Sequence, residues 1–390
     1  MGGVQHSTLF VAEYLDLNTH HDVEIVLPSP GLFSESLSLN NILVKFYYPI
    51  AYKSTAFSFF NDKIRLINPI AWVWNSIAIF INLFIIKSNI HPNTNVVISK
   101  GLLNHITTGI ACKLIKTPVI CHLQDLITTR YFGLVSRLFN LYFKWIPNYI
   151  ICDGDLIQKS LGENLKIKSK VILNGIKSKT FIREEILGAY IRNEFKMPEN
   201  AYLIGHIARI TPWKGQDYLI KAFHQFSKTN NNAYLLLIGS PLFDNDQYYN
   251  SIIKLIDELF LSEKVIMPGY RNDLQSLFSA MDLFLYPSIE KDTSPLALLS
   301  AISSGLPVGV SNINSLTEIV EVCPGVDVFN PNNPDEIISL MRKYKRKEAQ
   351  ELSGKLNRES GRKLFDISIH GQKMEKIIKQ VYKENKIDSI

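Results

Sequence analysis

The first part of the chain alternates short apolar runs with longer stretches in which apolar residues recur at helical spacing. Short apolar runs predict buried strands, and the longer periodic stretches predict helices. The strands are predicted at residues 22–28, 95–99, 118–122 and 149–152, and the helices at residues 4–16, 70–87, 103–115, 130–146 and 155–161. This alternation predicts a parallel sheet that helices cover on both faces.

The same alternation starts again near residue 170, where Asn174-Gly175 form a turn pair. The second set of strands is predicted at residues 170–173, 202–207, 234–238, 265–267, 283–286 and 307–310, with helices at 184–195, 215–228, 247–261, 272–280 and 295–304 and another from about Ser315. We therefore expect an α/β protein with two Rossmann-like, doubly wound domains that face each other across a cleft. The expected domains span residues 1–172 and 173–365, and a helix at 366–390 is expected to pack back on the first domain.

Length and composition agree with this organisation. A chain of 390 residues is long enough for two domains that each bury a core. The net charge of +6 fits partners that carry phosphate, although an excess this mild also fits a protein with no such partner. The four cysteines lack the spacing of a zinc site or a disulfide framework, so we expect buried free thiols in a reducing cytoplasm. Residues 1–20 do not have the pattern of a signal peptide.

Residues 69–86 form an apolar stretch about as long as a short membrane span. Asn75, Ser76 and Asn82 interrupt it, and Asn75 and Asn82 share one helical face because they lie seven residues apart. We expect a buried helix, or one that rests on an interface, rather than a true span.

Residues 130–147 alternate aromatic and basic side chains, which fits peripheral contact with an anionic membrane or, alternatively, a core helix with one solvated face.

Residues 206–215 read His-Ile-Ala-Arg-Ile-Thr-Pro-Trp-Lys-Gly and connect a predicted strand to a predicted helix. Arg209 and Lys214 therefore emerge from one loop at the carboxyl end of the strand. Two fixed cations there would stabilise a leaving nucleoside diphosphate more as its negative charge develops than before the bond breaks. An ordinary solvated loop is the competing interpretation.

A second polar loop, after the predicted strand at 283–286, leads into a helix that begins at Ser294 or Pro295. A helix start presents unpaired N–H groups and a partial positive charge to an oxygen-rich ligand, and proline suits the first turn. A capped helix without a ligand is the alternative.

Together these segments resemble the retaining GT-B glycosyltransferases of family four (glycosyl transferases group 1). The resemblance covers most of the chain and is densest at residues 170–320. It implies the GT-B fold, and it implies that Arg209 and Lys214 grip the pyrophosphate of a nucleotide-sugar donor. Further donor contacts are implied at two turns and at one helix start, namely Gly239 and Ser240, Tyr270 and Arg271, and Ser294, Pro295 and Leu296.

One departure from the family pattern lies at a pair of glutamates that the family places with seven residues between them. In register, Asp292 takes the first place and Ser300 takes the second. The resemblance implies that Asp292 lies near the hydroxyls of the transferred sugar. In the family the second glutamate grips the ribose, and Ser300 makes only a weaker single contact, so the expected consequence is weaker donor binding, a shifted nucleotide pose or loss of activity. Glu290 is an out-of-register alternative.

The N-terminal half carries two further matches. Gly2 and Gly3 resemble the glycine loop that opens the first helix of the family, where backbone N–H groups approach the diphosphate; a flexible chain end is the alternative. No strand precedes this loop, so we expect either that the first sheet lacks a central strand or that the true start of the protein lies upstream. His122 matches a histidine that lies beside the donor sugar and its phosphate, with a neutral core histidine as the alternative.

The resemblance implies a retaining, metal-independent transfer of sugar from a UDP- or GDP-sugar, which is a substrate, so no cofactor is expected. The implied acceptor is a saccharide or lipid-linked saccharide of surface polysaccharide synthesis, used in the cytoplasm with peripheral contact at the inner face of the membrane. A non-catalytic relative that binds a nucleotide or a partner protein is the alternative that Ser300 favours. No nucleic-acid partner is expected, because the basic residues are dispersed.

Overall fold

The computed structural model describes residues 2–59, 64–127, 133–241, 246–290 and 292–387. The chain divides into two compact units. Unit 1 consists of Met1–Ile172 together with Gly371–Ile390, and unit 2 consists of Leu173–His370. The C-terminal helix thus begins in unit 2 and continues in unit 1.

Unit 1 contains short parallel strands joined by helices. Its elements before the unit boundary are α1 (Gly3–Asn18), β1 (Glu24–Leu27), α2 (Leu32–Leu39), β2 (Leu43–Phe46), β3 (Ala56–Phe59), β4 (Ile64–Ile67), α3 (Pro69–Asn89), β5 (Val97–Lys100), α4 (Leu102–Leu114), β6 (Val119–Leu123), α5 (Leu134–Trp145), β7 (Tyr149–Cys152), α6 (Asp155–Lys159) and β8 (Ser169–Val171). Strands β5, β6, β7 and β8 form one parallel sheet in that order, and β1 and β2 form a separate parallel pair. Strands β3 and β4 form an antiparallel pair.

Unit 2 contains one six-stranded parallel sheet. Its elements are α7 (Glu185–Glu194), β9 (Tyr202–Ile207), α8 (Gln216–Ser227), β10 (Ala233–Ile238), α9 (Asp246–Glu258), β11 (Val265–Gly269), α10 (Leu274–Ala280), β12 (Leu283–Tyr286), α11 (Leu296–Ser304), β13 (Val308–Ser311), α12 (Thr317–Val322), β14 (Val326–Phe329), α13 (Pro334–Lys343), α14 (Lys347–Leu364) and the start of α15 (Ile367–Ile387). The strand order is β11-β10-β9-β12-β13-β14. Because the order reverses between β9 and β12, a crevice is expected at the carboxyl ends of these two strands.

The core of unit 2 explains why its strands read as continuous apolar runs. Successive residues of a strand point to opposite faces of the sheet. Leu203 and Phe284 pack into the hydrophobic cluster on one face, and the next residues, Ile204 and Leu285, pack into the cluster on the other. Both faces are covered, so every residue of β9 and β12 is buried.

Most predicted elements are present within a few residues of their predicted bounds, and the strands at 149–152, 202–207 and 283–286 match their predictions at both ends. Residues 128–132, which include the start of the predicted helix at 130–146, lie outside the described residues. The apolar pattern does not predict seven of the elements above, namely α2, β2, β3, β4, β14, α13 and α14. Helix α14 is strongly polar and contains Gly354 and Gly361, so it lacks the apolar periodicity of a core helix.

Helix α3 uses its polar residues to hold a neighbouring segment. The amide of Asn82 accepts a hydrogen bond from the Ile50 backbone N–H (2.7 Å) and donates one to the Ile50 carbonyl (2.9 Å). Asn75, two turns earlier, makes the same pair of bonds with Lys53 (2.8 and 2.9 Å). The two asparagines therefore hold the segment at 50–53 against the helix through side-chain hydrogen bonds to its backbone.

The remainder of α3 exposes large apolar side chains. Val73 and Phe80 are each 63% exposed, and Ile77 and Phe84 are about half exposed. Within the described residues, α3 is the one helix that is long and apolar enough to cross a membrane, and only 28% of its most apolar window is buried. Helix α3 qualifies as a membrane span by its length and composition only, so its exposed apolar face is the more informative observation.

We predict that Asn82→Ala lowers the free energy of unfolding of unit 1 by about 2 kcal/mol, because the half-buried backbone N–H and carbonyl of Ile50 lose their bonds to a side chain that is itself buried. Urea unfolding followed by tryptophan fluorescence measures this in a Trp213→Phe background. The other three tryptophans, Trp72, Trp74 and Trp145, all lie in unit 1.

Asn75→Ala is the matched control. It removes the same two bonds at an exposed position, where water replaces them, and should cost less than half as much. Equal losses for the two variants would contradict the account.

Candidate functional site

The predicted loop between β9 and α8 lies at the point where the strand order of unit 2 reverses. Gly215 ends this loop with a positive φ of 71°. A Cβ atom there would lie 2.0 Å from the carbonyl oxygen of Pro287, which follows β12. Only glycine therefore allows the loop to approach the end of β12 this closely.

His206 anchors the start of the loop from inside the sheet. It is fully buried, and its Nδ1–H donates to the carbonyl of Leu285 (2.9 Å). Burial lowers the pKa of His206 to about 4, so the ring is neutral at physiological pH. The side-chain amide of Gln216 lies 3.4 Å from Nε2 and also donates to the Arg209 carbonyl (2.9 Å). This chain of contacts fixes the backbone from which Arg209 projects.

Lys214 is a nearly buried cation in a polar cluster. Its ammonium donates to the phenolic oxygen of Tyr286 (2.8 Å), forms an ion pair with Asp292 and lies 5.2 Å from the centre of the Tyr286 ring. Lys214 is only 7% exposed. Burial lowers its pKa, and the negative charge of Asp292 opposes that shift.

The Asp292 carboxylate accepts hydrogen bonds from three side chains, and its backbone N–H makes a fourth bond. The Tyr286 hydroxyl and the Ser288 hydroxyl (3.3 Å) both donate to the same carboxylate oxygen that Lys214 contacts. The backbone N–H of Asp292 donates to the Ser315 hydroxyl (2.9 Å). Burial, and then the charge of Asp292, raises the pKa of Tyr286 well above its ordinary value, so the phenol keeps its proton. The structure thus places Asp292 as the counterion of Lys214.

Arg209 is the second cation at this edge of the sheet, and its environment differs from that of Lys214. Its side chain is exposed, and no carboxylate in the described ranges forms an ion pair with it. Its charge contributes to lowering the pKa of Lys214, so the two cations lie within electrostatic reach of each other. An anion at this edge would therefore meet one exposed cation and one that is already partly neutralised.

The other residues that are predicted to contact the nucleotide-sugar donor lie at the carboxyl ends of neighbouring strands. Gly239 follows β10 with φ of 146°, and a Cβ atom there would lie 1.9 Å from the Ala208 carbonyl oxygen. The carbonyl of Ser240 accepts a hydrogen bond from the Ile210 N–H (2.9 Å). Tyr270, after β11, is 53% exposed.

The guanidinium of Arg271 is already occupied. It contacts Glu194 (2.5 Å) and Asp273 (2.6 Å). The Arg271 guanidinium therefore does not present an uncompensated charge at this edge.

The start of α11 is held in an unusual conformation. Ser294 has a positive φ of 48°, Pro295 is the N-cap residue and Leu296 is the first helical residue, one or two residues after the predicted start. The Asn174 N–H donates to the Ser294 hydroxyl (2.7 Å), and the Asn174 side chain donates to the Ser294 carbonyl (3.0 Å). The predicted turn at Asn174 thus fixes this helix start. Ser300 lies on the second turn of α11 and is buried.

The predicted residues of unit 1 lie on different elements. Gly2 caps α1, and its N–H donates to the Gln5 side chain (2.8 Å). A Cβ atom at Gly2 or Gly3 would meet nothing within 4 Å, so their surroundings in this unit do not require glycine. His122 is fully buried on β6 and contacts Asp153.

The pattern of the sequence did not reveal three polar residues at these sites. Tyr286 reads as the apolar end of a strand, Lys100 is the last residue of β5, and Asp153 reads as a helix cap. A lysine or tyrosine at the carboxyl end of a predicted buried strand is the signal that could have identified two of them. Among the described residues, no group of three or more histidine, cysteine, aspartate or glutamate side chains is placed to hold a metal ion.

Comparison with known proteins agrees with this geometry. Residues 189–362 match the family model described as glycosyl transferases group 1. The chain is 26% identical over 263 residues to the O-antigen biosynthesis glycosyltransferase WclY of Escherichia coli, covering 66% of this chain and 69% of that protein. It is 25% identical over 270 residues to the E. coli UDP-Gal:alpha-D-GlcNAc-diphosphoundecaprenol alpha-1,3-galactosyltransferase, covering 60% of this chain and 65% of that enzyme.

Solved structures support the fold over nearly the whole chain. Anabaena Alr3699/HepE in complex with UDP-glucose aligns with a TM-score of 0.79 at 18% identity, covering 97% of this chain and 96% of that one. A glycosyltransferase from Rickettsia africae aligns with a TM-score of 0.78 at 20% identity, covering 98% and 96%. Residues 189–362 thus match the group 1 glycosyltransferases, and the two Rossmann-like units have the GT-B fold that the sequence predicts.

We predict that Tyr286→Phe lowers the rate of sugar transfer about tenfold, because Lys214 and Asp292 lose the hydroxyl that fixes them to each other. Steady-state kinetics at saturating donor measures this effect.

Tyr202→Phe is the control. Like Tyr286, Tyr202 is a buried tyrosine of unit 2, and its hydroxyl donates to the backbone carbonyl of Met341 (3.0 Å). The two variants should be destabilised to a similar extent, while only Tyr286→Phe loses activity. Parallel losses of activity would show that the hydroxyl of Tyr286 has only a structural role.

Proposed function

We propose that this glycosyltransferase transfers a sugar from a UDP-sugar to a lipid-linked saccharide in the synthesis of a bacterial surface polysaccharide, with retention of anomeric configuration and without a metal ion. The observation that carries the proposal is the pair of cations, Arg209 and Lys214, on one glycine-ended loop at the strand-order reversal of unit 2. The relatives named above act in O-antigen synthesis or on a diphosphoundecaprenol-linked sugar, and the aligned HepE structure contains UDP-glucose.

The chemistry assigns a role to each cation. When the bond between the anomeric carbon and the β-phosphate oxygen breaks, negative charge builds up on the departing UDP. Exposed Arg209 can form two parallel hydrogen bonds with phosphate oxygens, and Lys214 supplies a compact charge held in one place by Tyr286 and Asp292. The Lys214 ammonium and the backbone that carries Arg209 are fixed before the reaction, so the site needs little reorganisation to stabilise the transition state.

Retention follows if the acceptor attacks the face that the phosphate leaves. The acceptor oxygen then bonds to the anomeric carbon, and its proton passes to the departing phosphate oxygen. This route needs no nucleophilic side chain on the opposite face, and the two cations supply the charge compensation that a divalent metal would otherwise provide. Proton NMR of the product identifies its anomeric configuration, and full activity in excess EDTA would support the metal-independent route.

We predict that Lys214→Ala reduces transfer by about a hundredfold, because the departing diphosphate loses a preorganised cation. The assay uses a panel of UDP-, GDP- and ADP-sugars with a diphospholipid-linked acceptor and follows release of the nucleoside diphosphate.

Lys221→Ala is the control. Lys221 lies on the adjacent helix α8, where it is exposed and paired with Asp217 (3.3 Å), so its removal should leave transfer unchanged. A loss well below tenfold for Lys214→Ala, or equal losses for both variants, would remove Lys214 from the mechanism.

We also propose that unit 1 contacts the membrane that carries the acceptor, through the exposed apolar face of α3. Four large apolar residues, Val73, Ile77, Phe80 and Phe84, share this face, and the asparagines that interrupt the helix bind the segment at 50–53 instead. The ammonium of Lys53 lies 4.4 Å from the centre of the Trp74 ring, a position suited to an anionic headgroup beside an aromatic side chain.

We predict that the protein floats with vesicles that contain phosphatidylglycerol and that Phe80→Glu abolishes flotation, because a charge then lies in the centre of the apolar face. Sucrose-gradient flotation measures both.

Leu17→Glu is the matched control, since Leu17 is a 79% exposed leucine at the end of α1 in the same unit. It should float like the unaltered protein. A wild-type protein that stays in the dense fraction, or a Phe80→Glu variant that floats normally, would contradict the membrane contact.

A further inference from the structure

The second residue of unit 2, Asn174, is bound to the loop that precedes α11. Its backbone N–H donates to the Ser294 hydroxyl (2.7 Å), and its side-chain amide donates to the Ser294 carbonyl (3.0 Å). Both residues are buried, and 120 residues separate them along the chain. Two bonds to one residue fix the orientation of its carbonyl as well as its position, so they act on the backbone conformation of Ser294.

Ser294 needs this support because its backbone conformation is unfavourable. Its φ of 48° lies in the left-handed region, where a residue other than glycine is strained. Pro295 follows, and a residue before proline prefers an extended backbone. A strained conformation of this kind persists only where the surrounding contacts hold it. Without the bonds from Asn174, we therefore expect Ser294 to relax to a negative φ.

Asn174 can hold Ser294 because its own segment is fixed within unit 2. The His370 ring donates to the carbonyl of Leu173 (2.7 Å). At Gly175, a Cβ atom would lie 2.5 Å from the Cβ atom of His370, so glycine lets this segment pack closely. The turn pair that the sequence predicts thus combines a glycine that packs against His370 with an asparagine that reaches Ser294.

The conformation of Ser294 affects the position of Asp292, because one residue separates them. The Asp292 carboxylate forms an ion pair with Lys214 and accepts hydrogen bonds from the hydroxyls of Tyr286 and Ser288. If Ser294 became extended, the chain would enter α11 from a different direction. Asp292 would then move away from Lys214.

We propose that Asn174 is a positioning residue of the donor site, which holds Ser294 in the left-handed conformation and thereby keeps Asp292 paired with Lys214. This inference rests on the proposed function, because Asn174 affects sugar transfer through Lys214. It gives the first segment of unit 2 a role besides that of connecting the two units.

Substitutions at Ser294 separate the effect of backbone conformation from a general loss of stability. Ser294→Ala and Ser294→Gly both remove the hydroxyl, but only glycine adopts a positive φ without strain. Ser294→Gly should therefore transfer sugar about fivefold faster than Ser294→Ala.

The same glycine should rescue the loss of Asn174. Asn174→Ala should lower kcat at saturating UDP-sugar about tenfold, because Asp292 no longer fixes Lys214. Adding Ser294→Gly to Asn174→Ala should raise kcat again by about fivefold, since the left-handed conformation then needs no support. Steady-state kinetics on the complete protein measures both effects.

Asn357→Ala is the matched control. Asn357 is another buried asparagine of unit 2, and its side-chain amide donates to the backbone carbonyl of Leu306 (2.8 Å). Its replacement should lower the free energy of unfolding, as Asn174→Ala does, while kcat stays unchanged.

The ionisation of Lys214 gives a second readout that does not depend on turnover. Burial lowers the pKa of Lys214, Asp292 opposes that shift and Arg209 adds to it. Two further titratable groups lie beside this cluster, and both are neutral at physiological pH. Burial raises the pKa of Tyr286 well above its ordinary value and lowers the pKa of His206 to about 4.

Asn174→Ala should therefore lower the pKa of Lys214 further, so that the ammonium loses its proton at a lower pH than in the wild type. Adding Ser294→Gly should move the pKa back towards the wild-type value. Carbon-13 NMR of labelled lysine follows this titration, and Lys214→Ala identifies the resonance.

Equal activities of Ser294→Ala and Ser294→Gly, or an unchanged pKa of Lys214 in Asn174→Ala, would overturn the inference. If Asn174→Ala does not fold, the two Ser294 variants decide it by the same two readouts. If the wild type transfers no sugar at all, the proposed function fails on its own. The NMR titration then decides this inference, with a lowered and rescued pKa supporting it and an unchanged pKa refuting it.

Discussion

The structure of the candidate site depends on keeping one ammonium group charged at a nearly buried position. Burial favours the neutral amine of Lys214, and the carboxylate of Asp292 opposes that tendency at contact distance. The carboxylate in turn needs donors of its own, which Tyr286 and Ser288 provide. These side chains come from the loop after β9 and from β12 and the loop that follows it, so the sheet order of unit 2 is what brings the ion pair together.

Asp292 is the residue that meets this requirement. The resemblance implies that a carboxylate at this place lies beside the sugar hydroxyls, and the structure places it against Lys214. Arg209 has no such counterion in the described ranges and remains exposed. One cation is thus held rigidly and the other is available to fork around a phosphate group. Unit 1 contains a similar buried arrangement of opposite charges. Lys100 and Asp153 interact electrostatically with each other and with His122, whose pKa is lowered by burial.

The sequence predicted those features that depend on local pattern. Buried parallel strands are recognisable because both of their faces are apolar, and the bounds of β9 and β12 follow from that alone. The loop with Arg209 and Lys214 was recognisable from its spacing and its place after a strand. The partners of Lys214 were not, because Tyr286 and Asp292 lie 72 and 78 residues further along the chain. Likewise, the shared face of Asn75 and Asn82 was predictable, but the segment at 50–53 that they bind was not.

The central claim is that the cations of residues 209 and 214 receive the diphosphate of the donor. A crystal structure of the protein with UDP tests this most directly. The account predicts β-phosphate oxygens within about 3 Å of both the Arg209 guanidinium and the Lys214 ammonium, at ordinary hydrogen-bond distance. A diphosphate bound elsewhere on unit 2, with neither cation in contact, would contradict it.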